Sequence, residues 1–320
     1  MRVPFPAAII TTLTGPCPAP LPEITVSMNS TLSGVRIFRI IGLLLALLLS
    51  GCSAIRLGYN QAPELGYWWL DSYFDFTEAQ TSRVRADLAS LQAWHRSNEL
   101  PIYLGLLDKV QRLTPNNVAP EQLCDLYAEL LPRLTVTADQ AEPTLSAVTL
   151  LLKPEQLAHL ARQLDKRSET WREEWLDGTP GERRARQVKR LVDRAEGLYG
   201  RLDAAQRAAL REAVAASQYA AELSYRESQR RHTDTLQTLR LIQSGGLGAE
   251  RNRLEARGLL DRAVNSPDPI YRNQQNRLRQ ENCRTFAALH NSTTPSQRSK
   301  ALETLKGYET DLRALMAQRR

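Results

Sequence analysis

Apolar residues recur every three or four positions along most of the chain, which is the spacing of one face of an α-helix. The first such face consists of Val84, Leu88, Leu91 and Trp94, and the last extends over residues 301–316. No segment combines alternating apolar positions with an enrichment in β-branched residues, so a sheet is not expected. The pattern predicts an all-α protein.

Turn-forming residues divide this pattern into separate helices. Pro101 interrupts the first helix, and the Asp-Gly-Thr-Pro-Gly sequence at 177–181 is a turn. Further breaks fall at 244–246, which reads Ser-Gly-Gly, and at 266–269, which reads Ser-Pro-Asp-Pro. We therefore expect an irregular bundle of eight to ten helices, in one domain or in two subdomains joined near Ser244.

A four-residue signature that ends in glutamine recurs at five expected helix starts. Where its first residue is Thr or Asp, the side chain can accept a hydrogen bond from an unpaired amide, and the glutamine can bond back to the cap. Where its second residue is proline, φ is already set for the first helical position. The signature resembles the Leu-Thr-x-x-Gln signature of small helical periplasmic stress chaperones. The five copies occupy residues 77–80, 119–122, 153–156, 203–206 and 294–297.

An apolar run near the N-terminus has the composition of a secretory signal. Arg36 and Arg39 precede the apolar residues 40–49, and small residues follow them, which is the order of a signal peptide. Ten apolar residues cover about 15 Å as a helix, half of a bilayer core, so a permanent membrane span is not expected.

The first 27 residues do not fit this signal. Residues 1–27 contain six prolines and push the apolar run far from the start of the chain, whereas Met28 would open a signal of ordinary length. We therefore expect residues 1–27 to be an overcalled N-terminal extension and residues 28–51 to be the signal peptide.

The end of the apolar run resembles the lipobox of bacterial lipoproteins. It reads Leu49, Ser50, Gly51 and Cys52. The resemblance implies that Cys52 is acylated on sulfur, becomes the first residue of the mature chain and anchors it to a membrane, since two or more acyl chains do not readily leave a bilayer. Ser53, in place of Asp, implies sorting to the outer membrane, with the protein facing the periplasm.

Several stretches behind the lipobox resemble an uncharacterised family of Gram-negative helical lipoproteins. They include Tyr-Asn at 59–60, Trp-Trp-Leu-Asp-Ser-Tyr-Phe-Asp at 68–75 and His-Asn-Ser-Thr-Thr-Pro at 290–295. The resemblance covers essentially the whole mature chain and brings no assigned activity with it. We divide the mature chain into a lipid anchor with an aromatic-rich linker, residues 52–76, and a helical periplasmic domain, residues 77–320.

Two cysteines, Cys124 and Cys283, lie in the expected helical domain. A disulfide between them would close a loop of 159 residues and constrain the unfolded chain. The alternative is two separate buried thiols that behave as small apolar side chains. We favour the disulfide, because thiols in an oxidising compartment usually pair.

Seven of the 20 aromatic residues of the chain fall within residues 59–76, beside the expected anchor. Trp and Tyr favour a membrane interface, so this cluster is a candidate for contact with the membrane or with a protein partner. The alternative, which we favour, is core packing, because large aromatic side chains are mostly buried. The candidate residues are Tyr67, Trp68, Trp69, Tyr73 and Phe74.

No set of residues has the spacing of a catalytic, cofactor or metal site. The four histidines stand apart from one another, without a His-x-x-x-His or Cys-x-x-Cys partner. The polar stretch His290 to Thr293 could form a site, although such a stretch more often forms a turn that bonds to itself. The net charge of +7 is small and opposite charges alternate along the helices, so nucleic-acid binding is not expected.

One dipeptide resembles part of an enzyme motif. Glu227 followed by Ser228 resembles the pair that lytic transglycosylases use, in which the Glu is the general acid and base. The Gly-Leu-Met-Gln segment expected downstream is missing, and the neighbouring residues are highly polar. We therefore expect a non-enzymatic, lipid-anchored envelope protein that binds a protein partner or acts as a scaffold. A peptidoglycan-active enzyme and a chaperone-like holdase remain the alternatives.

Overall fold

The computed structural model describes residues 54–318. Cys52, the expected signal peptide and residues 1–27 lie outside the described residues. Within the described range the chain forms twelve helices and no strand, so the all-α prediction is confirmed and the expected eight to ten helices are too few. The helices are α1 (Ala54–Asn60), α2 (Ala62–Phe74), α3 (Glu78–Asn98), α4 (Leu100–Leu113), α5 (Pro120–Thr149), α6 (Pro154–Trp175), α7 (Pro180–Tyr199), α8 (Ala204–Ala216), α9 (Ala221–Gln243), α10 (Ala249–Val264), α11 (Pro269–Asn291) and α12 (Pro295–Ala317).

The additional helices lie where the sequence suggested a linker or an interruption. The stretch expected to be a linker contains α1 and α2. Asp75 follows the last residue of α2, and its φ of 50° turns the chain toward α3. Pro101 lies in the first turn of α4, where its missing N–H has no intrahelical acceptor. It therefore marks the start of a helix rather than an interruption within one.

All five copies of the glutamine signature begin helices, as the sequence predicts. In each copy the glutamine Oε1 accepts the backbone N–H of the cap residue, at distances between 2.8 and 3.0 Å. This bond satisfies a donor that a helix start would otherwise leave unpaired.

Four of these glutamines form two amide pairs that join helix starts far apart in sequence. Gln80 and Gln156 exchange side-chain hydrogen bonds of 3.1 and 2.9 Å, which join the starts of α3 and α6. Gln206 and Gln297 exchange bonds of 2.8 and 2.9 Å and join the starts of α8 and α12 in the same way. Each pair thus connects two helices in addition to capping them.

The helices pack around α5, which is 30 residues long. It contacts α3, α10 and α11, while α6 packs on α2 and α9, and α7 packs on α8 and α12. The helices on either side of Ser244, α9 and α10, pack on each other and on α5, so no subdomain boundary falls there. None of the helices described in residues 54–318 is both long and apolar enough to cross a bilayer.

The two thiols of the helical domain lie together. A disulfide joins Cys124 in α5 to Cys283 in α11, with an S–S distance of 2.08 Å and a Cα–Cα distance of 5.6 Å. The structure therefore contains the pairing that we favour from the sequence, and it connects two cysteines that lie 159 residues apart in the sequence.

Candidate functional site

A cavity of about 790 Å³ lies between the helices. Nine of the twelve described helices contribute to its wall, namely α2, α3 and all those from α5 to α11. Its volume falls within the range of small-molecule binding sites, roughly 300–1,000 Å³. The cavity is therefore the candidate functional site.

The character of the cavity wall changes along α6. Leu160, Leu164, Arg167, Trp171 and Trp175 recur every three or four residues and all line the cavity, as expected for one face of a helix. From the first to the last of them the helix rises about 22 Å. One end of the cavity is thus bordered by leucines and the other by tryptophans, with an arginine between them.

The apolar end is built partly from the aromatic residues beside the expected anchor. Trp69, Tyr73 and Phe74 line the cavity, and the last two pack against a core cluster that includes Leu160 and Leu239. These three aromatic residues of α2 therefore form part of the cavity wall rather than one continuous outer face.

The other two aromatic candidates have separate environments. Tyr67 is buried, donates or accepts a hydrogen bond with Thr81 at 3.0 Å and lies under the guanidinium of Arg85. Trp68 is 60% exposed. Of the five candidates for membrane or partner contact, Trp68 alone presents a mostly exposed side chain.

Aromatic rings and arginines form the opposite end of the cavity. Trp171 stacks on Trp175 and on Tyr225, with ring centroids 6.1 and 5.6 Å apart. The guanidinium of Arg190 lies 4.1 Å from the centre of the Trp175 ring, which is a favourable cation–π distance. Burial raises the pKa of Tyr219, which packs on Trp175, to about 12.

Sequence reasoning missed the arginines of this wall. Five arginines line the cavity, although opposite charges alternate along their helices in the sequence. The signal that could have found them is the position of Arg167 on the same face as four large apolar residues of α6, where a solvated residue is out of place. The five are Arg167, Arg190, Arg194, Arg231 and Arg279.

Glu227, the residue considered for catalysis, is buried and lines the cavity. Its Oε1 accepts from Arg230 and Arg231 at 2.9 and 2.8 Å, and its Oε2 accepts from Arg230 at 2.9 Å. Both carboxylate oxygens therefore bind guanidinium groups, whereas a general acid must present a proton to its substrate.

The polar stretch that begins at His290 holds a loop in place. The His290 ring accepts from the Tyr199 hydroxyl and donates to the Asn116 carbonyl, both at 2.8 Å. Asn291 exchanges hydrogen bonds of 2.8 and 3.0 Å with the backbone of Val118. This stretch thus connects the end of α11 to the loop of residues 114–119 through hydrogen bonds. Within residues 54–318 no group of three or more His, Cys, Asp or Glu residues is arranged to hold a metal ion.

His232 is a partly buried titratable group in the cavity wall. It bonds to the Ser168 hydroxyl at 3.0 Å, and burial lowers its pKa to about 4, with the neighbouring Arg167 and Arg231 also lowering it. Between pH 6.5 and 4 the unfolded chain therefore binds a proton that the folded protein does not, and stability falls as the pH falls through this window.

We expect this single group to remove about 2 kcal/mol from the free energy of unfolding between pH 7 and pH 5. Urea unfolding at both pH values, compared with the His232→Asn variant, measures the contribution. The variant should lose less stability on acidification, while His159→Asn, outside the cavity wall, should behave as the wild type. Equal pH dependence in the wild type and His232→Asn would contradict the prediction.

Comparison with known proteins identifies one family. A family model described as "Family of unknown function (DUF6279)" matches residues 72–256, which is more than half of the chain and includes most of the cavity wall. No curated protein and no solved structure matches the chain.

Proposed function

We infer the function from the cavity, because the chain belongs to the Family of unknown function (DUF6279) and membership supplies no activity. We propose a non-enzymatic envelope protein, tethered through acylated Cys52, whose central cavity binds a lipid-like molecule. The proposal keeps the lipid anchor expected from the lipobox. It replaces a protein partner by a small apolar ligand, because the cavity has the volume of a small-molecule site.

The size and apolar lining of the cavity carry this proposal. Large apolar and aromatic side chains dominate the wall around Tyr73, Phe74 and Leu160. An apolar wall of this kind favours contact with the apolar part of a ligand. Each Å² of apolar ligand surface removed from water contributes about 25 cal/mol, so a molecule that fills the cavity gains considerable binding energy.

Filling the cavity with a larger side chain tests the proposal. N-phenyl-1-naphthylamine, an uncharged probe that fluoresces in apolar surroundings, is expected to bind the wild-type domain. Leu164→Trp places an indole in the cavity wall and should weaken probe binding at least tenfold, about 1.4 kcal/mol.

Leu254→Trp is the matched control, because Leu254 is 57% exposed and lies outside the cavity wall. This variant should bind the probe as the wild type does. Circular dichroism checks that both variants fold. A wild-type domain without saturable probe binding, or equal binding by Leu164→Trp, would be evidence against the cavity as a binding site.

The membrane anchor is a separate part of the proposal. Ile55, three residues beyond Cys52, lines an apolar groove of about 470 Å³ between α4, α5 and α12. An acylated Cys52 would hold this face of the protein close to the bilayer. Metabolic labelling with radioactive palmitate should label the wild type and not Cys52→Ser, and a wild-type product without label would refute the anchor.

Specific contacts disfavour the two alternatives. Arg230 and Arg231 bind both carboxylate oxygens of Glu227, which disfavours Glu227 as the general acid in glycan cleavage. The glutamines shared with the periplasmic chaperones cap helices and bond to one another, which accounts for the signature without a client protein. Release of muropeptides by the purified domain, abolished in Glu227→Gln, would restore the enzyme hypothesis.

A further inference from the structure

We propose that the ligand of the central cavity is an anionic amphiphile, a long-chain carboxylic or phosphoric acid. Its acidic headgroup binds Arg194 and Arg190 of α7, and its apolar chain extends toward Leu160. The inference rests on the proposed binding function and adds the chemical class of the ligand to it.

One face of α7 carries the headgroup site. Gln187, Arg190, Leu191 and Arg194 line the cavity and recur at intervals of three, one and three residues, which places them on one side of the helix. The face that a helix turns toward an interior is normally apolar. Two arginines there, one turn apart, mark a cationic region inside the protein.

Arg194 lacks a counter-ion among the described residues. Its Nε is buried without a hydrogen-bond partner among the described residues. Burial lowers the pKa of Arg194, and no nearby carboxylate offsets this effect. By contrast, carboxylate partners raise the pKa of Arg262 and Arg133. A partly buried cation of this kind is stabilised when an anion binds beside it.

The three carboxylates of the cavity wall already have partners other than Arg194. Asp87 accepts from Arg83 at 2.7 Å, and Glu227 is occupied by the two arginines described above. Glu281 accepts from the Ser217 hydroxyl at 2.8 Å and from the Gln218 backbone. Arg190 forms an ion pair with Glu174 of α6, with 3.9 Å between Nη2 and Oε2. The cavity wall therefore holds a positive charge that its own acidic residues do not balance.

The change from leucines to tryptophans along α6 indicates the second property of the ligand, which is an apolar chain. The wall passes over about 22 Å from leucines to tryptophans, and Arg190 lies over Trp175 at the second end. A molecule with an acid at one end and a hydrocarbon chain at the other matches both ends at once. Guanidinium groups bind carboxylates and phosphates with paired hydrogen bonds, so either acid satisfies the site.

Displacement of N-phenyl-1-naphthylamine from the wild-type domain tests the inference with three ligands of equal chain length. Dodecanoate and dodecyl phosphate should displace the probe at concentrations at least tenfold lower than dodecanol does. A stronger effect of dodecanoate indicates a fatty acid, and a stronger effect of dodecyl phosphate indicates a phospholipid-type acid. Both results support the acidic class.

Variants of α7 locate the headgroup. Arg194→Gln should reduce the preference for the acids over dodecanol at least fivefold, while Arg194→Lys, which keeps the charge, should retain part of it. Arg184→Gln on the exposed side of α7 is the matched control and should keep the full preference.

The outcomes separate this inference from the proposed function. Equal displacement by all three ligands in the wild type would overturn the anionic class and leave the binding cavity intact. Failure of the probe itself to bind would overturn both. An undiminished preference for acids in folded Arg194→Gln would exclude Arg194 as the headgroup site. If Arg194→Gln does not fold, Arg194→Lys and the wild-type ratio of acid to alcohol still decide the question.

Discussion

Reduction of the Cys124–Cys283 disulfide is expected to lower the free energy of unfolding by about 5 kcal/mol. The bond closes a loop of 159 residues, and in the chain-entropy account a loop of this length removes much of the conformational freedom of the unfolded chain. The bond also joins α5 to α11, which both contribute to the cavity wall. Urea unfolding followed by far-ultraviolet circular dichroism, with and without dithiothreitol, measures the loss.

The double variant Cys124→Ala/Cys283→Ala is the control for effects of the reductant. It should be as unstable as the reduced wild type, and its stability should not respond to dithiothreitol. A wild-type protein that unfolds at the same urea concentration under both conditions would show that the bond contributes nothing. Both comparisons use the folded, soluble domain without its anchor.

The second large effect concerns a buried ion pair at the junction of α3 and α4. Glu99 has no exposed surface, and both of its oxygens accept from Arg133, with 2.9 Å between Arg133 Nε and Glu99 Oε2. Arg133→Met keeps most of the apolar stem but leaves the carboxylate buried and unpaired. We expect a loss of about 3–5 kcal/mol in the free energy of unfolding, measured in urea at pH 7.

Two further variants separate pairing from packing. Glu99→Leu/Arg133→Met removes both charges and should recover most of the lost stability, because apolar pairs can replace buried ion pairs. Arg112→Met breaks an exposed pair with Asp108 and should change stability by less than about 1 kcal/mol. A loss in Arg133→Met no larger than that in Arg112→Met would contradict the prediction.

Local patterns in the sequence predict much of this fold. The spacing of apolar residues predicts an all-α protein, and the glutamine signature predicts five helix starts, because capping involves residues only three positions apart. The pattern underestimates the number of helices in two places. In α2 aromatic and apolar residues occupy the consecutive positions 67–70, so that no three- or four-residue spacing is visible. Between α3 and α4 the single residue Glu99 separates two helices, with almost no intervening loop.

The candidate site is much harder to predict from sequence patterns. Arg167 and Arg194 belong to helices with many exposed charges, and only the packing of nine helices shows that their face of each helix borders a cavity. The sequence places Glu227 beside two arginines, yet the contacts that occupy both of its oxygens depend on rotamers that no spacing specifies. The sequence also leaves the thiol pairing open, because it does not show that two helices with cysteines 159 residues apart pack on each other.

Because the glutamines are paired, we expect two helix starts that are distant in the sequence to unfold locally at the same time. Loss of either Gln80 or Gln156 removes a cap from its own helix and a partner from the other, although 76 residues separate the two side chains. The first turns of α3 and α6 therefore form one cooperative unit of local unfolding. In amide hydrogen exchange their backbone protons are expected to exchange at a shared rate, and the turns at Gln206 and Gln297 form a second such unit.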